Sequence, residues 1–122
     1  MKKIIHLLNL LLFITISSCV QNSENCKEIP NNFSNYNQAK ELILNSKFKF
    51  SEKADVSNSS WISSAKYLSC DEESGFFIIT TNNRTYIHQN LPIGVWEQFK
   101  NADSKGSYYS RNIKGNYSLK LN

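Results

Sequence analysis

The stretch Trp61–Gln89, WISSAKYLSCDEESGFFIITTNNRTYIHQ, decides the fold. Its three segments favour β-structure, and a turn-forming sequence separates each from the next. Asp71–Gly75 is the first turn, in which Gly75 is free to take a positive φ. Asn82 and Asn83 form the second, because asparagine tolerates the left-handed region that a two-residue hairpin needs. The stretch predicts an antiparallel meander with strands over Trp61–Cys70, Phe76–Thr81 and Arg84–Gln89.

Helical patterns lie on both sides of the meander. Asn35 and Gln38 match an N-x-x-Q helix start, which predicts a helix near residues 36–45. Pro92 suits the first turn of a second helix. Its apolar face consists of Val95, Trp96, Phe99 and Ala102. A third, short helix ending near Gly115 is predicted from the spacing of Tyr109, Ile113 and Tyr117.

Two further segments alternate and predict short strands. Lys47–Phe50 alternates basic and aromatic residues, so we expect a strand with one apolar face, followed by a polar loop over Ser51–Ser60. Tyr117, Leu119 and Leu121 alternate as a last strand that closes the sheet. The predicted fold class is α+β: a small antiparallel β-meander with two short C-terminal helices packed on one face, preceded by one N-terminal helix and a short strand.

The N-terminus has the pattern of a secretory leader. Lys2 and Lys3 precede an apolar run that is shorter than the roughly 20 residues of a membrane-spanning helix. The run ends Ile16-Ser17-Ser18-Cys19, which resembles a bacterial lipobox. Residues 1–18 are therefore predicted to be a signal peptide and Cys19 to be lipidated. The alternative is ordinary cleavage near Ser18, with Cys19 incidental.

This leader predicts a lipid-anchored protein of the bacterial cell envelope. Two or more acyl chains anchor stably, because each buried CH₂ contributes about 0.8 kcal/mol. Val20 offers no acidic inner-membrane retention signal, which favours the outer membrane and its periplasmic face. Ser23-Glu24 is a candidate surface-export signal. Residues 19–32 are predicted to be the lipidated cysteine and a tether, residues 33–55 a helix and strand extension, and residues 56–122 the main domain.

Cys26 and Cys70 remain once Cys19 is assigned to the lipid. Two remaining cysteines in an exported protein predict a disulfide between them. Zinc needs about four closely spaced ligands, which the sequence after Cys19 does not offer, so no metal and no cofactor are expected. Pairing of Cys70 with His88 as a catalytic nucleophile and base is the remaining alternative.

The charge of the chain argues against a nucleic-acid function. The formal net charge is +4 over 122 residues. Without Lys2 and Lys3, twelve basic residues face ten acidic ones, which is too mild an excess for an electrostatic footprint. The sequence also has no Gly-rich phosphate loop, nucleophile elbow or metal motif, so we expect no enzyme.

Residues 56–118 resemble the KTSC domain, which is named for its occurrence at the C-terminus of some lysyl-tRNA synthetases. The resemblance rests on Ser59-Ser60-Trp61-Ile62, on Tyr86-Ile87-His88 and on Ala102-Asp103-Ser104-Lys105-Gly106-Ser107-Tyr108-Tyr109. His88 stands where the family usually has the second tyrosine of a Y-x-Y motif. The family's function is unknown, and RNA binding has been suggested for it.

We therefore expect a membrane-anchored envelope lipoprotein whose domain is a non-catalytic interaction module for an envelope protein or a glycan. The candidate binding face consists of Trp61, Tyr86, His88 and Trp96, which combine an apolar body with a polar edge. Packing in the core is the alternative for each of them. For His88 we expect a position at the rim of the domain, with its ring on the same face as Tyr86. RNA or single-stranded nucleic-acid binding, and an enzyme using Cys70 and His88, are the other functions considered.

Overall fold

Residues 25–122 are described by a computed structural model. The predicted signal peptide, Cys19 and the first part of the tether lie outside these residues. A short 3₁₀ helix spans Cys26–Glu28. In chain order it is followed by α1 (Tyr36–Leu44), β1 (Phe50–Lys53), β2 (Ile62–Ser69), β3 (Ser74–Thr81), β4 (Arg84–Pro92), α2 (Ile93–Asn101), α3 (Lys105–Tyr108) and one turn of π-helix (Tyr109–Ile113). No helix within residues 25–122 is long and apolar enough to cross a bilayer.

The four strands form one antiparallel sheet in chain order, so the predicted α+β class and meander are confirmed. The β3–β4 hairpin turns at Asn82 and Asn83, whose φ values of 42° and 71° are the left-handed conformations expected there. The β2–β3 turn differs from the prediction, because Glu72 takes the positive φ of 60°. Glycine is required at position 75 for a steric reason instead, since a Cβ there would lie 2.2 Å from the Leu68 carbonyl oxygen of the neighbouring strand.

The first strand lies three residues later than predicted. β1 spans Phe50–Lys53 and pairs with β2, so the first residues of the predicted polar loop belong to the sheet. Phe48 and Phe50 do not share one apolar face. Phe48 packs against Phe76 and Phe50 against Tyr67, on opposite sides of the sheet.

The C-terminal helices cover one face of the sheet and form the larger core. Its buried residues are Ile62, Ala65, Tyr67, Phe77, Ile79, Leu91, Trp96, Phe99, Tyr109 and Ile113. Aromatic rings dominate this core: Tyr67 stacks on Trp96 at 5.4 Å, and Phe77 meets Phe99 edge-on at 4.9 Å. Such pairs contribute about 0.5–1.5 kcal/mol beyond the area that they bury.

Helix α1 covers part of the other face and forms a second core. Its buried residues are Phe33, Ala39, Ile43, Leu68, Ile78 and Ile87. The helix begins as predicted, because the Asn35 side chain accepts a hydrogen bond of 2.9 Å from the Gln38 backbone N–H. The N-terminal extension is therefore integrated with the main domain: β1 joins its sheet, and α1 shares the second core with residues of β2, β3 and β4.

The C-terminal tail is not a strand. Ser118 forms an isolated bridge with His88, and Leu121 forms one with Phe33. Gln89, which is buried in β4, holds the tail by accepting a 3.0 Å hydrogen bond from the Lys120 backbone N–H. The same side chain donates to the Asn31 carbonyl at 2.8 Å, so the two ends of the described chain meet at one edge of the sheet.

The predicted disulfide is present. Cys26 and Cys70 are bonded with a Cα–Cα distance of 5.9 Å, within the usual range. Cys70 lies directly after β2, where a partner can approach without disrupting the sheet. The bond fixes Cys26 and the 3₁₀ helix that begins there to the end of β2.

Candidate functional site

The predicted binding face is not one exposed surface. Trp96 is fully buried, His88 is 7% exposed and Tyr86 is 41% exposed, while Trp61 is half-buried. Tyr86 and His88 do point to the same face of β4, opposite Ile79 and Phe77 respectively. The aromatic core, however, closes over His88 and Trp96 and removes both from any surface that a partner can contact.

Trp96 reaches the edge of the core through its ring nitrogen. Nε1 donates a 2.8 Å hydrogen bond to Glu52 on β1. Lys100 forms ion pairs with Glu52 and, at 3.0 Å, with Glu97. The hydrogen bonds from Lys100 and then from Trp96 lower the pKa of Glu52, while Glu52 raises the pKa of Lys100. The Glu52 carboxylate thus satisfies the buried indole N–H, which gives this arrangement a structural role.

His88 lies in the core and not at the rim, in contrast to the prediction. Its Nε2 lies 2.9 Å from the Tyr109 hydroxyl, and the two rings meet edge-on. Nδ1 is buried without a hydrogen-bond partner of adequate geometry. Burial lowers the pKa of His88, and the nearby backbone of Tyr117 opposes the shift. Burial raises the pKa of Tyr109 to about 12, with a further contribution from Tyr86. His88 is therefore a neutral core residue at pH 7.

The Cys70–His88 catalytic pair is not assembled. The Cys70 sulfur is bonded to Cys26, and a nitrogen of His88 is engaged by Tyr109. Within residues 25–122 no group of three or more His, Cys, Asp or Glu side chains is arranged to hold a metal ion.

A polar cleft of about 230 Å³ lies where the loop before β2 meets the start of α3. We call this the Trp61 cleft. One wall is formed by Asp55, Asn58, Ser59, Ser60 and Trp61, and the other by Asp103, Ser104, Lys105 and Gly106. Trp61 joins the walls, because its indole lies directly against Gly106 and 6.1 Å from the Tyr109 ring.

Side-chain hydrogen bonds to the backbone shape both walls of the Trp61 cleft. Ser59 Oγ accepts from the backbone N–H groups of Trp61 at 3.4 Å and Ile62 at 3.1 Å. Ser104 caps α3 by accepting from the Ser107 N–H at 3.2 Å. These local bonds fix the loops without tertiary partners, which is typical of serine at turns and helix starts.

The cleft combines acidic, basic and neutral groups. Asp55 accepts a hydrogen bond of 3.0 Å from the Ser57 N–H. Hydrogen bonds from Ser57 lower the pKa of Asp55, with a smaller contribution from the Lys105 charge. Asp103 is exposed on the other wall. Hydroxyl, amide, carboxylate and ammonium groups thus surround one half-buried indole.

Comparison with known proteins identifies the domain. The family model of the KTSC domain matches residues 58–117. This part of the chain is a KTSC domain. The predicted resemblance is thereby confirmed. The curated proteins and the solved structures gave no significant match to the chain.

The KTSC domain contains β2 to α3 and the π-turn, whereas α1, β1 and Cys26 precede it. Nearly all of the Trp61 cleft belongs to the KTSC domain, and only Asp55 lies outside the match. Sequence reasoning named Trp61 but missed the other cleft residues as site candidates. The sequence did contain a clue to these residues, because the Ser59-Ser60-Trp61 and Ser104-Lys105-Gly106 motifs both carried the resemblance to the KTSC domain.

Proposed function

We propose that this protein is a lipid-anchored component of the bacterial cell envelope, in which the KTSC domain is a non-catalytic binding module for a glycan. The main observation that supports this cellular location is the Cys26–Cys70 disulfide. Structural disulfides persist in oxidising compartments and are rare in the cytosol. The disulfide thus supports the same export route as the leader and the Ile16-Ser17-Ser18-Cys19 motif.

The short spacing between Cys19 and the disulfide supports a domain held close to the membrane. Cys26 follows Cys19 by seven positions, so the intervening chain reaches at most about 24 Å when fully extended. Beyond Cys26 the disulfide prevents further extension. A module anchored in this way has access to envelope glycans near the bilayer.

The Trp61 cleft supports a sugar ligand. Sugars present many hydroxyl groups, which need both donors and acceptors, and they also offer apolar ring faces that pack on aromatic side chains. Ser60, Asn58 and Asp103 provide the polar groups beside the Trp61 indole. At about 230 Å³ the cleft is smaller than a typical small-molecule pocket, which favours contact with one unit of a longer chain.

Metabolic labelling with an alkyne fatty acid tests the anchor. We expect labelling of the wild type and of Cys26→Ser, and no labelling of Cys19→Ser. Cys26→Ser is the matched control because it removes a cysteine of the same segment. Equal labelling of Cys19→Ser and wild type would rule out the lipid anchor.

Co-sedimentation with purified peptidoglycan tests the ligand. We expect the full chain to sediment with peptidoglycan, and Asp103→Ala and Ser60→Tyr to reduce the bound fraction several-fold. Glu41→Gln is the control, because Glu41 is an exposed residue of α1 that does not line the cleft. A labelled single-stranded RNA is tested in parallel. Binding of RNA in place of peptidoglycan would refute the proposal and favour the nucleic-acid alternative.

A further inference from the structure

A second cavity lies on the sheet face that α1 only partly covers. It has a volume of about 400 Å³. Ile78 of β3 lies at its floor, where it also belongs to the second core, and Leu44 of α1 forms part of its rim with 40% of its surface exposed. We call it the lysine groove. Its volume falls within the range of about 300–1,000 Å³ that is usual for small-ligand sites.

Three lysines surround the apolar part of this groove. Lys53 of β1 is directly opposite Lys66 of β2 in the antiparallel register, so both point to the same face of the sheet. Lys40 of α1 contributes from the helix side. Like charges directly opposite each other on neighbouring strands are destabilising. Within residues 25–122 the groove has no acidic lining residue, and none of the three lysines forms an ion pair.

These features select an anionic ligand with an apolar body. A bound anion offsets the repulsion between Lys53 and Lys66, while Ile78 and Leu44 offer apolar surface for a chain. Single-stranded nucleic acid normally requires aromatic stacking platforms, and no aromatic residue lines the groove. The volume also suits one chain of a small molecule better than a folded partner.

We propose that the lysine groove binds a single-chain anionic amphiphile, with the acyl chain along Ile78 and the carboxylate between Lys53 and Lys66. This site is separate from the Trp61 cleft and shares no lining residue with it. The proposal does not depend on glycan binding or on lipidation of Cys19.

Fluorescence titration with dansyl-labelled undecanoic acid tests the site. The protein is the full chain with Cys19→Ser, so that no covalently attached acyl chain competes. We expect saturable binding of the acid and at least about tenfold weaker binding of its methyl ester, the loss expected when a charge-assisted contact is removed. Equal affinity for acid and ester would overturn the proposed role of the lysines.

Two variants locate the ligand. Lys53→Gln/Lys66→Gln should weaken binding of the acid at least about tenfold. The melting temperature of this double variant should equal that of the wild type or exceed it, because a repulsive pair is removed. Lys114→Gln/Lys120→Gln changes two exposed lysines outside the groove and should bind as wild type. Equal weakening in both pairs would indicate nonspecific attraction and overturn the assignment.

Ser64→Phe places a ring in the exposed part of the groove and should abolish binding of the acid. Retained binding in Ser64→Phe would place the ligand elsewhere. A polyglutamate peptide and a labelled oligonucleotide are titrated as competing occupants. Binding of either one that depends on Lys53 and Lys66, without binding of the fatty acid, would replace the amphiphile by that partner.

Discussion

The indole of Trp61 lies against the backbone of Gly106. A Cβ on Gly106 would come within 2.5 Å of Trp61 Nε1 and within 2.8 Å of two further ring atoms. Both residues lie within the part of the chain that matches the KTSC domain, and they are far apart in sequence. Glycine is required here by the close approach of a rigid ring, because the indole has no flexible end that can move aside.

Gly106→Ala should therefore lower the free energy of unfolding by about 1–3 kcal/mol, the usual cost of overpacking. Gly94→Ala is the matched control, since Gly94 lies in α2 with no atom near an added Cβ. That change should be neutral or stabilising by up to about 1 kcal/mol through helix propensity. Urea unfolding measures both, and equal effects would contradict the packing role of Gly106.

Glu52→Ala should cost about 1–3 kcal/mol, because it leaves the buried Trp96 N–H without its acceptor. Glu97→Ala removes an ion pair with the same Lys100 but no buried partner, so its effect should stay below about 1 kcal/mol. Chemical denaturation of both variants compares them. Similar losses would show that the ion pairs with Lys100, and not the indole hydrogen bond, matter at this position.

Reduction of the Cys26–Cys70 disulfide should destabilise the fold by about 4 kcal/mol, from the loop-closure entropy of a sequence separation of 44. Melting curves with and without a phosphine reductant measure the change. Cys26→Ser/Cys70→Ser should melt at the temperature of the reduced wild type and should not respond to reductant. A response of this double variant would indicate an effect unrelated to the disulfide.

His88 should make stability fall as the pH is lowered. Its folded pKa lies below the ordinary value of 6.5, so below that pH the unfolded chain binds a proton that the folded chain excludes. Stability is complete above pH 6.5 and decreases as the pH falls toward the lowered folded pKa. Carboxylates with lowered pKa values, such as Glu52 and Asp71, stay ionised in this window.

Urea unfolding between about pH 7 and pH 5 checks this dependence. His88→Gln should remove most of the slope, since His88 is the one histidine that follows the predicted leader. Its stability at pH 7 is measured alongside, so that a general loss of stability is separated from a change in slope. An unchanged slope in His88→Gln would contradict the assignment to His88.

Local sequence patterns predicted the meander, its second turn and the start of α1, whereas β3 begins two residues earlier and β4 ends three residues later than predicted, at Pro92, which precedes α2. Asn82-Asn83 defined the hairpin, and Asn35 with Gln38 defined the start of α1, because these residues act through their own backbone neighbourhood. The predicted boundaries of β1 were wrong because pairing with a strand distant in sequence sets them. The alternation of Lys47–Phe50 carries no information about which residues of β2 are available for pairing.

The candidate sites were less accessible to sequence reasoning. Trp61 was identified, but its neighbours in the cleft come from two segments more than 40 positions apart, which the fold brings together where Trp61 packs against Gly106. The lysine groove was not predicted, because Lys53 and Lys66 become neighbours only in the β1–β2 register and Lys40 reaches them from a separate helix.

The sequence alone thus determined the three strands of the meander, the start of α1, the KTSC resemblance and the pairing of Cys26 with Cys70. Each of these depends on neighbouring residues or on cysteine number. Only the tertiary structure decided that Phe48 and Phe50 enter opposite cores, that His88 is buried against Tyr109, and that Trp96 meets Glu52 across 44 positions. Burial and partner choice depend on which distant segments the fold brings together, and local periodicity does not encode that information.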